Sequence, residues 1–153
     1  MEIKGEKLNE ELVAEIGKFA ILWNCFERDY CNNFCNLSEI KKVASLVSID
    51  NEKQAKLSKV LNQRCRSFGL DISGYIETRL HPRKARHNSP ENKRFMKLFL
   101  EQSDDDLRFG CLLVIFRIRN NMMHGLKCVE ELNDQLKLFQ AVNGVLESIE
   151  YIT

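Results

Sequence analysis

The sequence predicts an all-α fold, a single helical bundle of about four to five main helices spanning residues 1–153. Three observations predict it. Apolar residues recur at spacings of three and four over long stretches. Breakers are scarce, with two prolines and seven glycines in 153 residues. Leu, Lys and Glu, all good helix formers, are abundant. A chain of this length suits one domain and can bury a real core without disulfide or metal support.

Residues 7–35 read as one long helix, with Leu8, Leu12, Ile16, Phe19, Trp23, Phe26 and Tyr30 on one stripe. Ring stripes of this kind pack cores far more often than they stack bases, so Trp23, Phe19 and Phe26 are core residues. Ser38 followed by Glu39 marks the start of a short helix over 38–47. Asp50 opens another over 51–68, and Gly69 is its stop. Residues 71–80 are a short helix or an irregular turn. Both prolines, Pro82 and Pro90, fall in 81–90, which reads as a loop. Residues 91–101 form a helix with Phe95, Leu98 and Phe99 inward. Ser103 is a good N-cap for the next helix, and Asp104, Asp105 and Asp106 complement its dipole. That helix runs through 104–124 with Gly125 as C-cap, and Gly110 within it points to close approach of a neighbour. A last helix spans about 128–150, with Val129, Leu132, Leu136, Phe139, Val142, Val145, Leu146 and Ile149 on one face. No repeat, low-complexity tract or linker divides the chain.

Composition excludes several classes. No apolar run reaches the roughly 18 residues of a membrane span, and the acidic, mixed start has no signal-type apolar core. A soluble cytoplasmic protein, without membrane partners, is the expectation. The six cysteines, Cys25, Cys31, Cys35, Cys65, Cys111 and Cys128, then read as reduced thiols. Cys31 and Cys35 share a helical face at i, i+4, and His81 and His87 lie in a basic loop. The spacing matches no compact Cys-x-x-Cys pairing, so neither a metal nor another cofactor is expected.

Net charge is only +1, but it is uneven: residues 41–97 hold fourteen Lys and Arg against five Asp and Glu. The densest stretch is RLHPRKARH, residues 79–87. A charge cluster alone reads first as a solvated loop, though basic patches also attract phosphate backbones. Arg79, Arg83, Lys84 and Arg86 are the residues that would meet RNA there.

RIRNNMMHG, residues 117–125, ends the most apolar helix. Asn120 and His124 align at i, i+4, and Arg119 falls beside the apolar positions Leu112, Ile115 and Phe116. An unpaired guanidinium near a core is costly, so a carboxylate such as Glu27, a subunit partner or a bound phosphate should compensate it. Glu27 reads equally as a surface carboxylate. Arg117, on another face, reads as solvated, and Met122 and Met123 as interface or core filler. Lys127 either meets phosphate or faces solvent. Arginine, histidine and asparagines also simply suit a helix C-terminus.

Arg119, Asn120, three further residues and His124 resemble the signature of the HEPN family (higher eukaryote and prokaryote nucleotide-binding domains), and RIRNNMMHGLK resembles versions of that motif. The family fold is a bundle of four or five helices with the motif near the end of a late helix. The resemblance implies metal-independent ribonuclease activity, of toxin or defence type, in a homodimer whose two motifs face one cleft. Arg119 would then hold the scissile phosphate, His124 would act as general acid or base, and Asn120 would orient either. A 2′,3′-cyclic phosphate product is implied, and a cognate antitoxin protein would be a further partner. One subgroup modifies a tyrosine two residues after the histidine; Leu126 stands there, which puts that regulation in doubt. Many HEPN-like domains are non-catalytic RNA- or nucleotide-binding or adaptor modules, the alternative function class.

Overall fold

The computed structural model describes residues 1–3, 5–80, 89–123 and 134–153. Seven helices carry the fold among these residues: α1 Glu10–Tyr30, α2 Leu37–Leu46, α3 Asn51–Ser67, α4 Ile72–Arg79, α5 Pro90–Glu101, α6 Arg108–Met123 and α7 Leu136–Ser148. The all-α bundle expected from the periodicity is what forms. Two short antiparallel pairs accompany it. Glu2–Ile3 (β1) pairs with Glu6–Lys7 (β2), and Val47–Ser48 (β3) pairs with Glu150–Tyr151 (β4). The second pair fastens the end of the chain to the end of α2.

Short polar side chains start most of the helices. Asn9, Asn36, Asp50, Asp71 and Ser89 each accept a hydrogen bond from the backbone N–H three residues on, which satisfies a donor the helix itself leaves open. The start of α2 is thus set by Asn36, one residue before Leu37, rather than by Ser38. Residues 71–80, left between helix and turn by sequence, become helical because Asp71 caps them. Gly69, at φ +66°, closes α3 with Leu70 N–H donating to Cys65 and Gly69 N–H donating to Arg66. This is the glycine stop expected there.

Three boundaries differ from the reading of the sequence. Helix α1 ends at Tyr30, because Asn32 and Asn33 take left-handed backbone at φ 52° and 71°. Ser103 does not cap α6. It completes the end of α5 instead, donating its N–H to Leu98 behind a left-handed Gln102. Asp106 does the capping, accepting from the Arg108 N–H and gripping the Arg108 guanidinium at 2.8 and 2.7 Å. In the last helix, Asp134 and Gln135 form a turn, so the described helix begins at Leu136. Gly125, Val129 and Leu132 lie outside the described residues.

Helix α6 is the centre of the core. Every residue from Gly110 to Ile118 is buried, on all sides of the helix, the signature of an element wrapped by others. It packs on α5 and α2, while α7 packs on α1 and α3. The aromatic stripe of α1 faces inward as expected: Phe19 meets Phe139, and Trp23 lies between Phe26 and Phe116. Gly110 marks the close approach expected of it, since a Cβ there would overlap the Phe95 carbonyl of α5 and the Phe99 side chain. Some buried polar groups bridge helices. Asn143 of α7 donates to the Glu15 carbonyl and carboxylate of α1, and Ser58 and Asn62 of α3 donate to the Leu100 carbonyl of α5. No described helix is long and apolar enough to cross a membrane.

Candidate functional site

The polar end of α6 divides into two faces. Arg117 and Asn121 stand one turn apart and share one of them. Arg117 donates from Nη1 to the Leu80 carbonyl at 3.4 Å, and Asn121 donates from Nδ2 to the Arg79 carbonyl at 2.9 Å. Both acceptors belong to the C-terminus of α4, where a helix leaves its last carbonyls open and its dipole negative. A cation and an amide therefore close α4 from outside. Their grip places the end of α4, where the basic stretch begins, directly against the end of α6.

This corrects the reading of Arg117 as solvated. It is only 1% exposed and ranks among the largest fully buried side chains. Burial pushes its guanidinium down to about 10, which still leaves it charged at neutral pH. A permanent positive charge thus lies beneath the surface of the α6 end. Arg119, which the sequence places beside the apolar positions, is half-buried.

Arg119 and Asn120 form the second face. Arg119 Nη1 donates to Asn120 Oδ1 at 3.0 Å, and both side chains are half-buried. An amide oxygen holding one guanidinium nitrogen restricts a side chain that is otherwise costly to order, and among the described residues the other N–H donors of the fork have no acceptor. Glu27 does not pair with Arg119 among the described residues. Its carboxylate accepts from the Cys35 N–H at 3.2 Å, ordering the turn after α1. Met122 packs against the core.

His124 and Lys127 lie outside the described residues, as do Arg83, Lys84, Arg86 and the histidines His81 and His87. Of the basic candidates, Arg79 is placed: exposed, with its guanidinium 3.9 Å from the centre of the Phe68 ring. Arg64 approaches the same ring at 5.5 Å and donates from Nε to the buried Tyr75 hydroxyl at 3.4 Å. Burial raises the Tyr75 phenol, against the pull of Arg64. Sequence reasoning missed Phe68 and Arg64 as functional candidates. The nearest signal was Gly69, since a helix stop there places Phe68 at an exposed helix end.

The cysteines also depart from expectation. Cys31 and Cys35 form a disulfide with Cα atoms 5.1 Å apart, within the usual range. The reduced-thiol reading fails for this pair because α1 stops at Tyr30: the two cysteines flank a tight turn instead of riding one helical face. Cys65 and Cys111 are buried thiols, both pushed upward by burial, and Cys25 is half-buried. Among the described residues no cluster of His, Cys, Asp and Glu could hold a metal ion. An open cleft of about 420 Å³ between α3 and α5 is lined by Arg66 and Lys97 but also by Asp71 and Glu101, so its charges balance.

No family model, curated protein or solved structure matches this chain.

Proposed function

We propose that the chain is a metal-independent endoribonuclease of the HEPN type, acting as a toxin or in defence, with Arg119, Asn120 and His124 as its reacting set. The observation that carries the reading is the Arg119–Asn120 pair, tied by a 3.0 Å hydrogen bond and half-buried at the end of a helix that is buried from Gly110 to Ile118. The α4 terminus clamped beside it by Arg117 and Asn121 supports the reading further, since the basic stretch starts there.

The chemistry needs little more. The ribose 2′-oxygen attacks phosphorus, the bond to the 5′-oxygen breaks, and a 2′,3′-cyclic phosphate forms. His124 takes the 2′-hydroxyl proton or supplies one to the leaving oxygen, as a group titrating near neutrality can. Arg119 donates to the phosphate oxygens as negative charge builds, and Asn120 holds the guanidinium in place. The buried Arg117 charge adds a fixed positive potential without touching substrate. In the composite site implied by the family, a second copy presents the same α6 end across the cleft.

Purified protein should cleave single-stranded RNA in EDTA, leave the all-deoxy strand intact, and sediment as a dimer. His124→Ala and Arg119→Ala should each abolish cutting while thermal unfolding stays cooperative. Cleavage that survives both changes overturns the assignment. RNA binding without cleavage in the wild type would establish the non-catalytic module instead.

A further inference from the structure

We propose that Phe68, Arg79 and Arg64 form a stacking subsite for an unpaired base of single-stranded RNA, at the end of α4 that Asn121 of α6 holds. The inference rests on the ribonuclease reading for its ligand class. Its own support is the geometry of the α3–α4 corner.

Phe68 sits at the C-cap of α3, where Gly69 turns the chain and leaves the residue 39% exposed. Two guanidiniums converge on it, Arg79 at 3.9 Å and Arg64 at 5.5 Å. Neither has a carboxylate partner among the described residues. Surface cations usually spread into solvent or pair with acids; here two are held against one apolar ring, each fixed from a second side. Arg64 is held by the Tyr75 hydroxyl. Arg79 is held through its own backbone, whose carbonyl accepts from Asn121 two residues after Arg119.

A guanidinium lying 3.9 Å above a ring has one face on the aromatic and the other toward solvent. That free face is a platform for a nucleobase, because arginine planes and aromatic rings both stack on bases. The N–H donors at its edge remain available to the flanking phosphate. The base must be unstacked from its own neighbours to enter, so the subsite selects single strands over duplexes. Asn121, which holds the Arg79 carbonyl, leaves the same turn of α6 as Arg119 but on the other face, so the subsite and the Arg119–Asn120 pair flank the end of one helix.

The test measures binding, separately from cleavage. The probe is a short 2′-O-methyl single-stranded oligoribonucleotide, which keeps bases and phosphates but has no attacking hydroxyl. Anisotropy titrations compare the full-length wild type with Phe68→Leu, Phe68→Trp, Arg79→Lys and Arg79→Ala. Phe68→Leu keeps an apolar side chain at the helix end and removes the π-face; it should weaken binding about tenfold, while Phe68→Trp retains it. Arg79→Lys should also weaken binding although charge is kept, and the dependence of log Kd on log salt should stay unchanged in it and in Phe68→Leu. Arg79→Ala should lower that slope by about one. The duplex of the same sequence should bind no more weakly to Phe68→Leu than to wild type.

Wild-type affinity in Phe68→Leu, or equal losses for single strand and duplex, overturns the subsite, as does absence of wild-type binding to the probe. Cleavage lost in His124→Ala with these results would leave the nuclease assignment standing alone. Stacking confirmed in a chain that never cleaves would do the opposite.

Discussion

Gly110→Ala is the sharpest test of the bundle, because its sign opposes the usual rule. In an ordinary helix interior the change to alanine stabilises by about 1 kcal/mol, through lower entropy of the unfolded chain and better propensity. At Gly110 the added carbon would overlap the Phe95 carbonyl oxygen and lie 2.9 Å from Phe99 Cβ and 3.0 Å from Phe95 C. Carbon atoms pack comfortably at roughly 3.5–4.0 Å, and the carbonyl oxygen overlaps more deeply than either carbon, so α5 would have to retreat by about 1 Å. A backbone carbonyl within a helix cannot swing aside as a side chain can. Overpacking of this kind costs about 1–3 kcal/mol or more, and here the obstacle is at the stiff end of that range. The net expectation is a loss of about 1–2 kcal/mol. Gly17 supplies the internal control, because it is exposed in α1 and a Cβ there meets nothing within 4 Å. Gly17→Ala should gain up to about 1 kcal/mol. Urea titrations followed by far-ultraviolet circular dichroism read both, as shifts of midpoint in opposite directions at unchanged slope. A Gly110→Ala midpoint equal to or above wild type would refute the close contact between α5 and α6.

Three other perturbations have definite outcomes. Asn121→Ala removes the 2.9 Å bond to the Arg79 carbonyl and should cost about 1 kcal/mol of stability while weakening RNA binding; unchanged binding in anisotropy titrations would show that the clamp does not position Arg79. Reducing the Cys31–Cys35 bond opens a loop of separation 4, and the chain-entropy relation gives a loss of about 2 kcal/mol; urea midpoints that match with and without dithiothreitol would contradict this. The Asp106 carboxyl is held below its ordinary value of 3.8 by Arg108. A depressed folded value adds stability that is present above 3.8 and lost as pH falls through the folded value. The stability gap between wild type and Asp106→Asn should therefore shrink on acidification below that point, and a gap independent of pH would remove Arg108 as the cause.

The fold was legible where one face of a helix differs from the other. The stripe of α1 runs from Leu12 through Phe19 and Trp23 to Phe26, and all four are buried; the α7 face from Phe139 to Leu146 behaves alike. Polar caps were legible in kind but not always in place. Ser103 and Asp106 are both good N-cap residues, and the choice between them was made by the left-handed Gln102 that uses Ser103 to finish α5. The turn after α1 was hidden for a related reason. Asn32 and Asn33 signal an end, but only their left-handed backbone brings Cys31 and Cys35 together as a bonded pair.

At the candidate site, periodicity failed for a physical reason. Assigning Arg119 to the core side and Arg117 to solvent requires an apolar stripe to measure against, and α6 has none, being buried from Gly110 to Ile118 on every side. What decides the orientation of an arginine on such a helix is a distant acceptor. The carbonyls at the end of α4 supply it, at residues 79 and 80, and they claim Arg117 and Asn121. Arg119 and Asn120, on the remaining face, bond to each other among the described residues. The buried arginine is thus the one that joins α4 to α6, and the half-buried one is the one proposed to meet a phosphate. That division of labour explains why RIRNNMMHG carries two arginines. It also requires that Arg117→Lys and Arg119→Lys fail differently: the first should lower stability by loosening α4, the second should lower cleavage with stability unchanged. Equal stability losses in the two variants would mean that both arginines are structural.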